Sequence, residues 1–456
     1  MDYDAIIIGA GQAGPALARR LTGAGGRVAV VERKFFGGTC INTGCTPTKT
    51  LVASAYAAHL ARRAADYGVV IDGSPRVDMK AVKARKDAIV ERWRSGIEQS
   101  LRSLKGCTVY EAHARFTGPH ELQVGNDVLR ADKIFINAGG RAVVPPIPGL
   151  DRVRYLTNST MLDLDILPRH LIVLGGSYVG LEFAQIYRRF GSEVTVIEQA
   201  PRLIAREDED VSHAIADILK GEGIDIRVGS KVVTVAAQGS GVAVTVESGE
   251  RSQVSGTHLL AAIGRRPNTD DLGLDKAGVV TDERGYIEVD DQLRTNVPGI
   301  WALGDCNGRG AFTHTSWNDY EIVAANLLDN DSRRVSDRIN AYALYTDPPL
   351  GRAGMTEAEV RKSGRPALIA TMAMADVARA IEKGETKGFM KVLADKETRQ
   401  ILGASLLGVS GDEVVHCLLD LMYAKAPYTV MQRAMHIHPT VSELLPTMMG
   451  QLRPLQ

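Results

Sequence analysis

Short apolar runs punctuated by glycine organise this chain. Ala5 to Ile8 leads into Gly9, Gly11 and Gly14, then into a stretch carrying Leu17 and Leu21 at helical spacing. A second apolar run, Val28 to Val31, ends at Glu32. That order predicts strand, tight turn, amphipathic helix and strand. It returns downstream, where Leu171 to Leu174 precedes Gly175, Ser177 and Gly180, and Val194 to Ile197 ends at Glu198. First glycine and acidic residue are 23 positions apart in both copies, which a chance glycine pattern does not reproduce. The repeat predicts two Rossmann-like dinucleotide-binding domains in an α/β protein.

Between the copies the pattern predicts a helical stretch from about Thr50, a long charged helix around Met79 to Ser103, and short strands leading to Ile134 to Ala138. Pro145, Pro146 and Pro148 then mark the crossing from one domain to the next. A strand-rich region is expected over Ile224 to Val246. Leu260 to Gly264 and Ile300 to Asp305 read as strands returning to the first domain. From about Arg338 the pattern changes, with a strand at Met390 to Ala394 and helices around Asp412 to Ala424. The expected division is a first domain at 1–150 completed by 261–335, a second at 151–260, and an α+β domain at 336–456.

A chain of 456 residues is too long for one core, in keeping with several domains. It carries 54 basic and 54 acidic residues, so no charge excess points to nucleic acid or an anionic membrane. Small molecules are the expected partners. No apolar run approaches the length of a membrane span, and Met-Asp-Tyr-Asp leads into a strand without a signal core. A cytoplasmic location is expected. Five cysteines are too few for a disulfide scaffold, so a close pair among them needs a special reason.

In each fingerprint the glycines let the backbone approach a pyrophosphate at a helix N-terminus. Glu32 would accept hydrogen bonds from a ribose. Ser177 departs from the pattern where a middle glycine is usual. Glu198 would repel a 2′-phosphate and favours NADH, while Arg202 and Arg206 leave NADPH open. Gly264, ending an expected strand, is a further candidate for the cofactor cleft.

The stretch Gly-Gly-Thr-Cys40-Ile-Asn-Thr-Gly-Cys45-Thr-Pro-Thr-Lys49 carries the most chemistry. Residues five apart in an ideal helix lie about 7.5 Å apart along its axis, beyond a comfortable disulfide. A bridge would need a distorted turn, for which Gly44 and Pro47 are suited. Strained bridges are easily reduced, which favours a working pair over a structural one. A helix start also lowers a thiol pKa. No further Cys or His ligands lie nearby, so no resident metal site is expected.

With these motifs the sequence resembles the pyridine nucleotide-disulfide oxidoreductases, the flavoprotein family of lipoamide dehydrogenase, glutathione reductase and mercuric reductase. The resemblance implies that the first fingerprint binds FAD and the second NAD(P)H. It gives Cys40 the exchange with substrate and Cys45 the charge-transfer contact with the flavin. Lys49 would lie beside flavin N5 and Glu182, in Gly180-Leu-Glu-Phe-Ala, would pair with it. Tyr178 would cover the nicotinamide pocket until coenzyme displaces it. Thr295-Asn-Val-Pro-Gly-Ile-Trp-Ala-Leu-Gly304-Asp305 resembles the second flavin motif, whose aspartate bonds the ribityl chain. His436-Ile-His438-Pro-Thr-Val-Ser-Glu443 resembles the base motif, with His438 moving protons and Glu443 orienting it. In the family this base comes from the other subunit, so a homodimer is implied.

The implied reaction is ping-pong transfer from NAD(P)H through FAD and the cysteine pair to a disulfide, an oxidant or a metal ion. Asn-Thr-Gly-Cys45-Thr-Pro-Thr-Lys49-Thr and Arg206-Glu-Asp-Glu-Asp210 resemble the mercuric reductase-like and reactive-chlorine-resistance branch. The ending Gln-Leu-Arg-Pro-Leu-Gln lacks the terminal cysteine pair of mercuric reductase, and His438 is a further departure. Dihydrolipoyl dehydrogenase is the alternative. A flavin-bound redox sensor is the alternative of another class, and a ferredoxin-reductase type leaves Cys40 to Lys49 unexplained. Cys107, Cys306 and Cys417 receive no role.

Overall fold

In the strand Asp2–Ile8, alternate side chains enter different cores. Ala5 and Ile7 pack with Leu17 and Leu21 of the helix Ala13–Gly23, whereas Ile6 and Ile8 face Leu272, Leu274 and Ile300. Both faces are covered, which is why the run is continuously apolar. The computed structural model describes all 456 residues. Asp2–Ile8 pairs in parallel with Val28–Glu32 and with Asp127–Ile136. Cys107–Glu111 and Ile300–Ala302 extend the parallel set at its two sides. An antiparallel hairpin, Ala114–Gly118 with Glu121–Val124, is attached to the start of Asp127–Ile136.

The second copy forms its own four-stranded parallel sheet, ordered Asp225–Arg227, Glu193–Ile197, His170–Leu174, His258–Ala261. Here one expectation changes. Leu260 does not return to the first domain, because Leu259 and Leu260 are fully buried beside Ile172 and Val173 and continue the second sheet. The return comes after Ala261, when Arg265–Pro267 pairs antiparallel with Gly140–Ala142. Gly264 lies on that crossing, at φ +145°. Ile300–Ala302 does rejoin the first sheet. The strand-rich stretch is also divided: Asp225–Arg227 stays parallel, while Lys231–Gln238, Gly241–Ser248 and Glu250–Gly256 form a separate antiparallel sheet.

The C-terminal part is a six-stranded antiparallel sheet with helices packed on it. Its order is Ala341–Leu344, Leu350–Gly354, Ile401–Leu407, Phe389–Asp395, Ala367–Ala373, Arg453–Pro454. The helix Gly411–Tyr423 lies over Leu350–Gly354 and Ile401–Leu407, burying Val414, Val415 and Leu418. The architecture is thus two Rossmann-like α/β units and a C-terminal α+β unit. No helix is long and apolar enough to cross a membrane.

Candidate active site

The two fingerprints share their fine geometry as well as their spacing. Gly9 and Gly175 hold φ +105° and +106°, a region that favours glycine. A Cβ on Gly14 would lie 2.3 Å from the Gly9 carbonyl oxygen, and one on Gly180 would lie 2.1 Å from that of Gly175. Any larger residue would push the helix away from the turn. Glu32 accepts hydrogen bonds from the Ala10 and Lys34 amides at 2.9 and 2.8 Å. Glu198 accepts them from the matching Gly176 and Ala200 amides at 2.6 and 2.7 Å. A carboxylate offers about four acceptor positions, so each keeps two for ribose hydroxyls. Gly11 lies between Gly38 and the Asn137 side chain, with no space for a Cβ on Gly38.

The cysteine segment is two helices. Cys40 sits in Gly38–Thr43, and the chain breaks at Gly44 before Cys45 opens the helix Cys45–Arg62. A Cβ at Gly44 would lie 2.9 Å from the Thr39 carbonyl oxygen, so glycine permits the break that brings the thiols together. Both cysteines are free thiols in this structure. The Cys45 pKa is lowered to about 6, chiefly by the Cys40 hydrogen bond, then by the Thr313 hydroxyl at 3.2 Å and the Lys49 charge, against burial. Cys40 is pushed up by the same hydrogen bond and by burial. The Thr313 hydroxyl and the Lys49 charge thus both favour the thiolate at Cys45.

Lys49 lies one turn beyond Cys45 on the same helix face. Its ammonium meets both Glu182 oxygens, at 2.9 and 2.7 Å, and sits 4.5 Å from the centre of the Tyr345 ring. Glu182 is buried in the helix Tyr178–Phe190 of the second unit and also accepts from the Tyr345 amide at 3.1 Å. Tyr178 opens that helix, edge-on to Phe312 and Tyr342. Cys45, Lys49, Glu182 and Tyr178 thus lie where the two Rossmann-like units and the C-terminal sheet meet.

Gly304 takes φ +72° and donates its amide to Asp319 at 2.8 Å, which orients the turn carrying Asp305. Burial raises the Asp305 pKa, and the nearest cation, Arg265, stands 3.6 Å away. A half-buried carboxyl so weakly paired suits a ligand hydroxyl. His438 lies far along the chain, 74% exposed by side chain, with Nδ1 2.9 Å from Glu443 Oε2. It makes no hydrogen bond to either cysteine of its own chain. Its neighbours Met435 and Ile437 are 97% and 81% exposed, an unusual state for apolar side chains. His436 instead binds the Ser442 carbonyl oxygen through Nδ1.

A cavity of about 1800 Å³ runs along the second fingerprint, lined by Gly175, Ser177, Tyr178, Glu198 and Gly264. It is large enough for a dinucleotide, and Ser177 has an extended backbone that any residue adopts, so the missing glycine is no obstacle. The glycine turn beside Glu32 and the weakly paired Asp305 suit FAD in the first unit. No group of three or more His, Cys, Asp or Glu side chains is placed to hold a metal ion. Sequence reasoning missed Thr313, Tyr345 and Arg265. Each belongs to no motif read above, and only the fold brings it to the site.

The model for pyridine nucleotide-disulphide oxidoreductases matches residues 3–319, and that family's dimerisation domain matches 340–449. The chain is 39% identical to the probable pyridine nucleotide-disulfide oxidoreductase RclA of Escherichia coli, over 97% of this chain and 98% of that protein. It is 34% identical to a mercuric reductase of Streptomyces lividans, covering 97% and 94% of the two chains. A dihydrolipoyl dehydrogenase of Thermus scotoductus is 32% identical, with 97% and 95% covered. The solved structure of RclA, an HOCl-induced flavoprotein disulfide reductase, matches with a TM-score of 0.90 and 37% identity, over 98% of this chain and 99% of that one. The chain belongs to the pyridine nucleotide-disulphide oxidoreductases, a family of dimeric flavoenzymes that work with FAD and NAD(P)H.

Proposed function

We propose that this enzyme takes electrons from NADH and delivers them, through the Cys40–Cys45 pair, to a small disulfide, oxidant or metal ion. The observation that carries the reading is the continuity from Cys45 through one helical turn to the Lys49–Glu182 pair at the junction of the two units. Bound FAD would supply two-electron transfer between the coenzyme and the cysteine pair. The first unit, 1–150 with 261–335, would hold it through Gly9, Gly11, Gly14, Glu32, Gly304 and Asp305. The second unit, 151–260, would hold the coenzyme through Gly175, Ser177, Gly180 and Glu198. The region 336–456 would form the dimer.

Cys45, the more acidic thiol, would face the flavin. Cys40 would attack the substrate, and Lys49 and Glu182 would fix the charge balance at the ring. His438 of the partner subunit would protonate or deprotonate the exchanging thiol, oriented by Glu443. The exposed loop around Met435 and Ile437 suits a role completed across the dimer. Glu198 supports NADH over NADPH: its carboxylate is pinned at the strand end, while Arg202 binds the Ala205 and Glu207 carbonyl oxygens and Arg206 lies over Tyr178.

A Cu(II) complex has been solved for RclA, which supports metal ions among the acceptors to try here. The His438–Glu443 pair and the dihydrolipoyl dehydrogenase relatives favour a second reading, oxidation of a dithiol with NAD as acceptor. Steady-state turnover with NADH against lipoamide, glutathione disulfide, Cu²⁺, Hg²⁺ and quinones separates the two. The main reading expects rapid NADH consumption with at least one acceptor besides lipoamide. Turnover confined to lipoamide and dihydrolipoamide would replace it with the second.

A further inference from the structure

The acidic run Arg206-Glu-Asp-Glu-Asp210 joins the second Rossmann-like unit to the C-terminal sheet. Asp208 and Asp210 hold the buried ammonium of Lys391 at 3.0 and 2.9 Å, and Asp208 accepts the Glu357 and Ala358 amides. The segment is therefore fixed to the C-terminal sheet. Glu207, in the middle of the run, is 1% exposed. Its Oε1 accepts from the Tyr342 hydroxyl and, at 3.4 Å, from the Tyr178 hydroxyl.

The rest of the Glu207 environment is poorly satisfied. Oε2 has no hydrogen bond, and the Arg352 guanidinium, equally buried, comes only to 3.6 Å through Nε. Arg352 gives Nη1 to Ala404 O and Ser405 Oγ, and its Nη2 has no partner. A buried carboxylate with one loose ion pair depends heavily on its few donors. Burial raises its pKa, against the phenol and the guanidinium. The Arg206 guanidinium lies over the Tyr178 ring, 5.4 Å from its centre. Tyr178, Phe312, Tyr342 and Arg352 all line the coenzyme cavity.

We propose that Glu207 is a latch for the Tyr178 lid, a positioning residue that sets the cost of opening the nicotinamide pocket and anchors the lid to the dimerisation domain through Tyr342 and Arg352. The inference rests on Tyr178 covering that pocket. Displacing the ring breaks its bond to Glu207, and that cost appears in the NADH dissociation constant. The hydride-transfer step itself, after the ring has moved, does not involve Glu207.

The test uses the FAD-loaded dimer, following flavin reduction at stepped NADH concentrations to obtain a dissociation constant and a limiting rate. Tyr178→Phe keeps the ring and removes the hydroxyl, and Glu207→Gln weakens the acceptor. Each is expected to lower the dissociation constant about fivefold, with the limiting rate within about twofold. The double variant should bind NADH no more tightly than either single one. Tyr342→Phe removes the anchor on the C-terminal sheet, so the latch loosens and the dissociation constant falls as well. This variant carries the test if Glu207→Gln does not fold. An unchanged constant in Tyr178→Phe, a full Glu207→Gln effect in its presence, or an unchanged or raised constant in Tyr342→Phe overturns the latch. Tyr178→Ala distinguishes the underlying reading: if it alters neither affinity nor reduction rate, Tyr178 is not the lid.

Discussion

Lys49 and Glu182 stand 133 positions apart in the chain and meet as a two-pronged ion pair one helical turn beyond Cys45. The pair ties the thiol helix of the first unit to the coenzyme helix of the second. Lys49→Met leaves the Glu182 carboxylate buried without its cation, beside the proposed flavin site. Flavin reduction by NADH is expected to fall about a hundredfold, and Glu182→Gln, which keeps an acceptor for the Tyr345 amide, about tenfold. Rapid-reaction measurements on FAD-loaded protein check both. An unchanged rate in Lys49→Met would remove the pair from the mechanism.

The Cys45 thiol, with its pKa lowered to about 6, is a thiolate above that pH and a thiol below it. The thiolate signal of the two-electron-reduced enzyme should persist at pH 7 and fade as pH drops through about 6. Thr313→Val removes a hydroxyl donor 3.2 Å from the sulfur while keeping its bulk, so the midpoint should move upward. A midpoint that stays in place would show that Thr313 does not stabilise the thiolate.

In the proposed reading His438 and Glu443 act on substrate exchange, not on flavin reduction. His438→Gln should lower turnover about a hundredfold or more while NADH still reduces the flavin at the native rate. Glu443→Gln, which keeps the shape but not the charge, should lower turnover about tenfold while flavin reduction stays at the native rate. Mixing Cys40→Ser and His438→Gln chains offers a check of the cross-subunit arrangement. Hybrid dimers regain up to one intact site if the base comes from the partner, and none if each chain supplies its own.

Glu198 is pinned by two amides beside the coenzyme cavity. Glu198→Ala should weaken NADH and improve NADPH, moving the ratio of their kcat/KM values about tenfold toward NADPH. Native enzyme that already prefers NADPH would contradict the proposed role of this carboxylate.

Much of this site was legible in the sequence because its parts are local. Glycine turns, strand ends and the Cys40 to Lys49 segment depend on neighbours a few residues away, and the shared spacing to Glu32 and Glu198 needs only the chain itself. Thr313 was not legible. It meets Cys45 across 268 positions, and nothing in a threonine after Phe312 announces that contact. Glu207 lay inside a run of charges that reads like a solvated face, yet it is buried because Tyr342 and Arg352 arrive from the C-terminal sheet. The strand expected over Leu260 to Gly264, returning to the first domain, differs for a similar reason: the observed strand is His258–Ala261, its apolar residues fit either sheet, and only the ladder with His170–Leu174 decides.

Anaerobic titration of the FAD-loaded enzyme with NADH tests the central claim most directly. Two electrons per flavin should produce a long-wavelength band from the Cys45 thiolate beside the oxidised ring, absent in Cys45→Ser. Cys40→Ser, which has no disulfide to reduce, should show the band before NADH is added and lose it as the first two electrons bleach the flavin. Direct bleaching of the flavin by the first two electrons, with no such band in the native protein, would contradict the relay through Cys40 and Cys45.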